Sequence, residues 1–311
     1  MVAAARTSPD QGRREHYGEF YGLRPLPPDD GRPLLVVHGT CQAEALRVLL
    51  AGAGEHRTVR VPPVHELEAD DVPHLHRVLA ATTALVAQPV RTDYRGLALG
   101  AAQVADRLAH GSVVVVIPSV RYAGLFPFQA IVRAPGVGDP PVVPYHDLRT
   151  LAEAATGTRP DAAVAAAAWR EVARSSVDEL ARREERHGAV VVSDLLGPAG
   201  AGAVHTVNHP GNEVLRGLAR RVLERLGHDV EVPDPGRTLL DSVHTPLQAE
   251  VLEALGLDAA AAGSPWVVGG QVVEDGAVRE AQLRFYAEHP QVVPAGLERH
   301  RDTMALLGLV T

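Results

Sequence analysis

The chain has 311 residues, 46% of them hydrophobic and 22% charged, a balance that can fill a core and lies far from disordered compositions. Its formal net charge is −8, and with no lysine in the sequence all 30 basic residues are arginine, without a basic run. That excludes a general nucleic-acid binder, because neutralising phosphates requires clustered positive charge.

Residues 1 to about 31 are polar and end in Pro and Gly, and they read as a flexible arm. PLLVVHG then predicts a buried parallel strand, and QAEALRVLLAGAG a helix with Ala45, Leu46, Leu49 and Leu50 at helical spacing. RTVRVPPV reads as a second strand, HLHRVLAATTALVAQPV as a helix running into a third, and DYRGLALGAAQVADRLAHG as a helix ended by Gly111. GSVVVVIPSV, rich in β-branched residues, is a fourth strand. Strands alternating with helices from residue 34 to 120 predict an α/β fold, a parallel sheet flanked by helices.

The four prolines of RAPGVGDPPVVPYHD mark an irregular connection, and residues 147–187 read as a helical insertion. NEVLRGLARRVLERLG is amphipathic, with Val214, Leu215, Leu218, Val222, Leu223 and Leu226 on one face. TPLQAEVLEALG predicts a helix with His244 or Thr245 near its start, and WVVGGQVVEDGAVREAQLRFYAEHP a hairpin followed by a helix. The expected organisation is therefore an arm over 1–31, an α/β core over 32–230 and a mainly helical C-terminal extension with a hairpin over 231–311, packed on that core.

A single cysteine rules out an intramolecular disulfide framework and fits a reducing, cytoplasmic compartment. The first thirty residues lack the apolar core of a signal peptide, and no stretch approaches the ~20 apolar residues of a membrane span. The histidines lack zinc-ligand spacing with cysteine, and no glycine-rich phosphate loop is present, so no metal is predicted.

Cys41 follows the first strand through Gly39 and Thr40 and opens a helix, at the sheet end where open α/β folds place their sites. Unpaired N–H groups at a helix start favour a thiolate, so a lowered thiol pKa is expected. The plain alternative is a small buried hydrophobe with an unreactive thiol of raised pKa. A nucleophile needs a base, and His209 in HTVNHPGN is the chosen histidine, although Pro210 and Asn212 also explain that segment as a turn and helix cap. Oxyanion donors would come from the backbone at Cys41 and Gln42 and from Gln88, which could equally be a turn residue. QPVRTDYRG and IPSVRYAGLFPFQ contribute Arg91, Tyr94, Arg95, Ser119, Arg121 and Tyr122, the mixture that anionic and ring-bearing ligands require, or else solvated loops.

HGTCQAEAL, QPVRTDYRG, PSVRYAGLFP and the later NHP together resemble the WcbI-type polysaccharide-biosynthesis acetyltransferases, over residues 34 to 215. The resemblance implies a core related to SGNH-type hydrolases or flavodoxin-like folds, coenzyme A or acyl-CoA as co-substrate, and acyl transfer to a hydroxyl of a saccharide or other small-molecule acceptor. It puts Cys41 where the hydrolase-like core has its nucleophilic serine, and makes His209 the best match to the catalytic histidine. Gly39, Thr40, Gln42, Arg91, Tyr94, Arg95, Ser119, Arg121 and Tyr122 become cofactor-binding positions, with Cys41, His209 and Gln88 catalytic. The SGNH histidine follows an aspartate by three residues; counted back from His209 that position is Thr206, so the orienting acid is unassigned. A thioesterase or esterase with the same residues, and a CoA- or nucleotide-binding module, are the alternatives. The acceptor and the oligomeric state, homo-oligomer included, are left open.

Overall fold

The computed structural model describes residues 9–161 and 163–309, so residues 1–8 of the expected arm lie outside the described residues. Along the chain come α1 (Pro9–His16), α2 (Gly18–Tyr21), β1 (Leu34–His38), α3 (Cys41–Ala53), β2 (Arg57–Val59), α4 (Val72–Ala80), β3 (Ala84–Ala87), α5 (Ala101–Ala105) and β4 (Val113–Val116). There follow β5 (Gln129–Ala130), β6 (His146–Asp147), α6 (Leu148–Thr156), α7 (Ala166–His187), β7 (Val204–Thr206), β8 (His209–Pro210), α8 (Asn212–Arg225), β9 (Val243–His244), α9 (Ala249–Ala254), β10 (Trp266–Val268), β11 (Gln271–Val273), α10 (Asp275–Glu288), α11 (Val292–Arg299) and α12 (Arg301–Leu306). Among the described residues no helix is long and apolar enough to cross a membrane. The α/β class with a helical C-terminal region is the one the sequence predicts.

The residues pack as two units. The first takes residues up to Ser119, Arg182–Val192 and Leu215–Leu239; the second takes Val120–Ala181, Ser193–Val214 and Leu240 onward.

In the first unit the parallel sheet runs β2-β1-β3-β4. All five residues of β1 are buried, as expected of a strand covered on both faces. One face carries Leu34 and Val36 into a cluster with Phe20, Leu75, Leu85 and Leu99, where each large side chain contributes roughly 1.5–3 kcal/mol of burial. The chain leaves β1 for β2 on one side and returns to β3 on the other, so its direction reverses between β1 and β3. Ligands of open α/β sheets bind at that crevice. The register pairs His38 with Ala87 and brings Gly39 level with Gln88.

The helix expected to end at Gly111 is shorter than its sequence pattern. Leu99 is fully buried, Gly100 adopts an extended N-cap conformation, and a Cβ there would crowd the backbone of Arg91 and Thr92, so only Ala101–Ala105 coil. In the second unit β9, β10 and β11 form an antiparallel sheet whose hairpin turns through Gly269 and Gly270, both at positive φ. His244 lies in β9 and Gln248 caps α9, so the expected helix over TPLQAEVLEALG starts later than predicted. Phe128, Leu151, Trp169, Phe285 and Met304 share the unit's core.

Candidate functional site

At the end of β1 the chain passes through Gly39 and Thr40 into α3, with Cys41 its first residue. Thr40 has an extended N-cap backbone, and its carbonyl accepts the first turn's bond from Ala43 N–H at 2.9 Å. Its hydroxyl does not cap the helix; its one hydrogen is shared between Gln88 Oε1, 3.0 Å away, and the Cys41 sulfur, and Thr40 N–H donates to the same Gln88 oxygen at 2.8 Å. The amide N–H groups opening α3 are thereby left to the sulfur. Hydrogen bonds from the Gln42 backbone, the Thr40 side chain and the Cys41 backbone act to lower the thiol pKa.

Burial outweighs them and pushes the Cys41 thiol above its usual range, with Glu66 adding to the rise. The lowered pKa expected from the helix start is therefore corrected: the donors are present, but desolvation of the half-buried sulfur is the larger effect.

Gln88 is 2% exposed and fully engaged. Its Nε2 donates to Gln42 Oε1 at 3.1 Å and to the Pro118 carbonyl at 3.4 Å. A Cβ on Gly39 would overlap the Gln88 amide, so only glycine fits beneath it. From the far side, Val64 N–H donates to the Gly39 carbonyl at 2.8 Å. Gly39, Thr40, Cys41, Gln42 and Gln88 thus form one cluster.

His38, the last residue of β1, directly precedes it. It is 1% exposed, and one ring nitrogen, Nε2, lies 2.9 Å from the Leu99 carbonyl, which fixes Nε2 as the protonated nitrogen. Nδ1 has no hydrogen-bond partner among the described residues, and burial keeps the ring neutral.

Arg91, Tyr94 and Arg95 occupy the segment after β3. Arg91 is exposed, with its guanidinium carbon 6.0 Å from the Tyr94 ring centroid and no anionic partner among the described residues. Asp93 and Arg95 both adopt left-handed backbone, uncommon outside glycine, and Arg95 donates to the His65 carbonyl. The Ser119 carbonyl accepts from Arg183 at 3.5 Å.

The remaining expected positions lie in the second unit. Arg121 is exposed, while Tyr122 is buried and donates its N–H to the Val207 carbonyl at 2.8 Å. His209 sits in β8, paired with β7, and Tyr145 clasps this turn through Thr206 Oγ1 at 2.9 Å and Asn208 Oδ1 at 2.8 Å. Burial first, then the neighbouring His205, holds the His209 pKa down at about 4, against a backbone hydrogen bond at Leu240.

Beside it is a pair that sequence reasoning missed. His244 Nε2 lies 2.5 Å from Asp241 Oδ1, and the His244 ring centroid lies 4.4 Å from that of His205. The signal was legible: Asp241 and His244, in DSVH, have the three-residue spacing sought before His209. The region past residue 230 reads from sequence as an extension. Among the described residues no group of three or more His, Cys, Asp or Glu side chains could hold a metal ion.

The profile of the family described as "Polysaccharide biosynthesis enzyme WcbI" matches residues 34–231. No curated protein matches the chain. A solved structure of WcbI, described as a novel polysaccharide biosynthesis enzyme in its native form without a disulfide bond between CoA and a cysteine, superposes with a TM-score of 0.72 at 19% identity. The match covers 89% of this chain and 99% of that one, and it shows the shared fold. With well over half its length inside the family profile, this chain belongs to the WcbI family of polysaccharide biosynthesis enzymes.

Proposed function

We propose that this protein is a CoA-dependent acyltransferase that acylates a hydroxyl of a saccharide or related small molecule. Support comes from the family, from the CoA and cysteine named for the solved relative, and above all from one observation. Cys41 stands at the sheet's switch point with the Thr40 hydroxyl and the Gln42 N–H turned to its sulfur.

The residues fit an acyl-CoA. Arg91 and Arg95 would hold phosphates, and Tyr94 offers a ring surface. Bound there, CoA would supply the acyl group as a thioester. The N–H groups of Cys41 and Gln42, which meet the sulfur in the free protein, would turn to the oxyanion in this reading. Gln88 is a positioning residue, because both its amide hydrogens are already engaged.

The raised thiol pKa favours one route over another. A thiol that burial keeps protonated is poorly set to attack, so Cys41 lines the site and the acceptor oxygen is activated directly. Within the second unit, His244 oriented by Asp241, and His209 kept neutral by burial, are the groups able to take up a proton. One cysteine in a chain without a membrane-crossing helix among the described residues supports the cytoplasm as its compartment.

Calorimetry with acetyl-CoA, followed by CoA release with and without neutral saccharides, tests the reading. Saturable binding with acceptor-dependent release, abolished in Asp241→Asn, is the expected result. Release without acceptor would make the protein a thioesterase. Binding without any release would leave a CoA-binding module, and no binding would sink the proposal.

A further inference from the structure

The segment between β3 and α5 carries Arg91 and Arg95, and an acidic residue, Asp93, stands midway between them. Such a neighbour works against an anion site. A carboxylate within reach of a guanidinium pairs with it and competes with any phosphate for the same N–H groups.

In the structure Asp93 pairs with neither arginine. Its Oδ1 accepts instead from Gln103 Nε2 at 2.7 Å, and its backbone N–H donates to Gln103 Oε1 at 3.0 Å. Arg91 faces the Tyr94 ring with no anionic partner among the described residues, and Arg95 donates to a neutral acceptor, the His65 carbonyl.

Gln103 is the third residue of α5, where a glutamine commonly reaches back to the N-cap N–H. It does so here, accepting from Gly100 N–H at 3.0 Å. Capping explains that bond alone. The other two cross the loop to Asp93, and an amide that donates at one end and accepts at the other holds both the carboxylate and the backbone of that residue.

The loop is folded to make this contact. Asp93 and Arg95 have φ of 50° and 55°, a left-handed backbone that Asp and Asn tolerate better than other side chains, and the half-buried Tyr94 between them packs on the core cluster. Ala101 N–H donates to the Val90 carbonyl at 3.0 Å, which closes the loop at its base. A Cβ on Gly100 would lie 2.8 Å from the Thr92 backbone, so the loop rests directly on the start of α5.

We infer that Gln103 is a positioning residue for ligand binding: by holding Asp93 it keeps a carboxylate off Arg91 and Arg95, and leaves both guanidinium groups to the phosphates of a nucleotide-bearing acyl donor. A neutral amide does this without adding a charge of its own. The inference names the donor class, a CoA thioester recognised at its phosphate end rather than through pantetheine alone, and rests on the transferase reading for that name.

Calorimetry on the full chain with acetyl-CoA, S-acetylpantetheine and inorganic pyrophosphate tests this. Gln103→Ala should weaken acetyl-CoA and pyrophosphate about fivefold, the worth of one competing exposed ion pair, with S-acetylpantetheine held as by the wild type. Adding Asp93→Asn, which suits the left-handed backbone and removes the charge, should restore both affinities. A merely structural role predicts no such rescue, because the double variant still lacks the Gln103 amide. Full affinity in Gln103→Ala, equal loss for all three ligands, or a loss that Asp93→Asn does not repair overturns the inference. The pyrophosphate arm keeps the two readings apart. Pyrophosphate binding with this pattern but no acetyl-CoA binding retains the role of Gln103 and rejects the transferase; acetyl-CoA binding indifferent to Gln103 does the reverse. Binding of neither overturns both.

Discussion

Gln88 Oε1 accepts two hydrogen bonds from one residue, Thr40, from its backbone N–H at 2.8 Å and its hydroxyl at 3.0 Å. This double acceptance turns the Thr40 side chain away from capping α3 and leaves the first amides of the helix to Cys41.

Gln88→Ala should therefore cost about 1–3 kcal/mol in urea unfolding, since it leaves the Thr40 N–H and Gln42 Oε1 buried with one partner fewer. An unchanged denaturation midpoint would mean that the amide bonds are idle.

Gly39→Ala should act on the same contact from beneath. The added methyl displaces the Gln88 amide, at a cost of roughly 1–3 kcal/mol, and opens the turn. Alkylation of Cys41 should accelerate as its shielding is lost. A variant as stable and as slowly alkylated as wild type would contradict the packing described.

For the thiol itself, alkylation rate against pH in the free protein should give a midpoint above that of an unstructured cysteine peptide, because burial disfavours the thiolate. Thr40→Val removes one of the stabilising donors and should move the midpoint higher still. A midpoint below the peptide's would restore a preformed nucleophile and the acyl-enzyme route.

His146, His205 and His209 all have pKa values pushed down to about 4, chiefly by burial. An unfolded histidine titrates near ~6.5. Between these values the unfolded chain binds more protons, so stability present at pH 7 is lost as pH falls from about 6.5 toward 4. Urea unfolding across that range should show a loss on the order of a few kcal/mol, and the slope should flatten in His209→Gln. A flat profile in the wild type would show that these rings are not buried neutral.

Asp241→Asn keeps the size of the side chain but removes the charge that orients His244. Transfer to a saccharide should fall roughly 100-fold or more in kcat, with the KM for acetyl-CoA little changed. A wild-type rate would return the proton step to His209, and the variant His209→Gln would then carry the loss instead.

Much of this was legible in the sequence because local and long-range demands agreed. The all-apolar LLVVH, the small-residue turn before Cys41 and the alternation of strands and helices to residue 120 specify a parallel sheet wherever they occur. Gln88 could be found for the same reason, since it stands directly after a strand. Its role could not, because what it does depends on the register that sets it level with Gly39. The His244–Asp241 pair was hidden differently. Its spacing was printed in DSVH, but the short β9 that carries it has two residues and no hydrophobic period of its own. The direction of the thiol shift was illegible too, because burial is a property of the packed chain and a helix start is a property of the local sequence.

The enclosure of Cys41 is drawn from segments far apart along the chain: Val64 latches Gly39 after β2, Gln88 reaches Thr40 after β3, and Pro118 receives Gln88 after β4. The only sulfhydryl in the protein therefore becomes half-buried only when strands separated by long loops have met, events that are slow in parallel sheets. It serves as an internal clock. Short pulses of an alkylating reagent during refolding would count, chain by chain, how many molecules have closed the sheet, with no second thiol to blur the count.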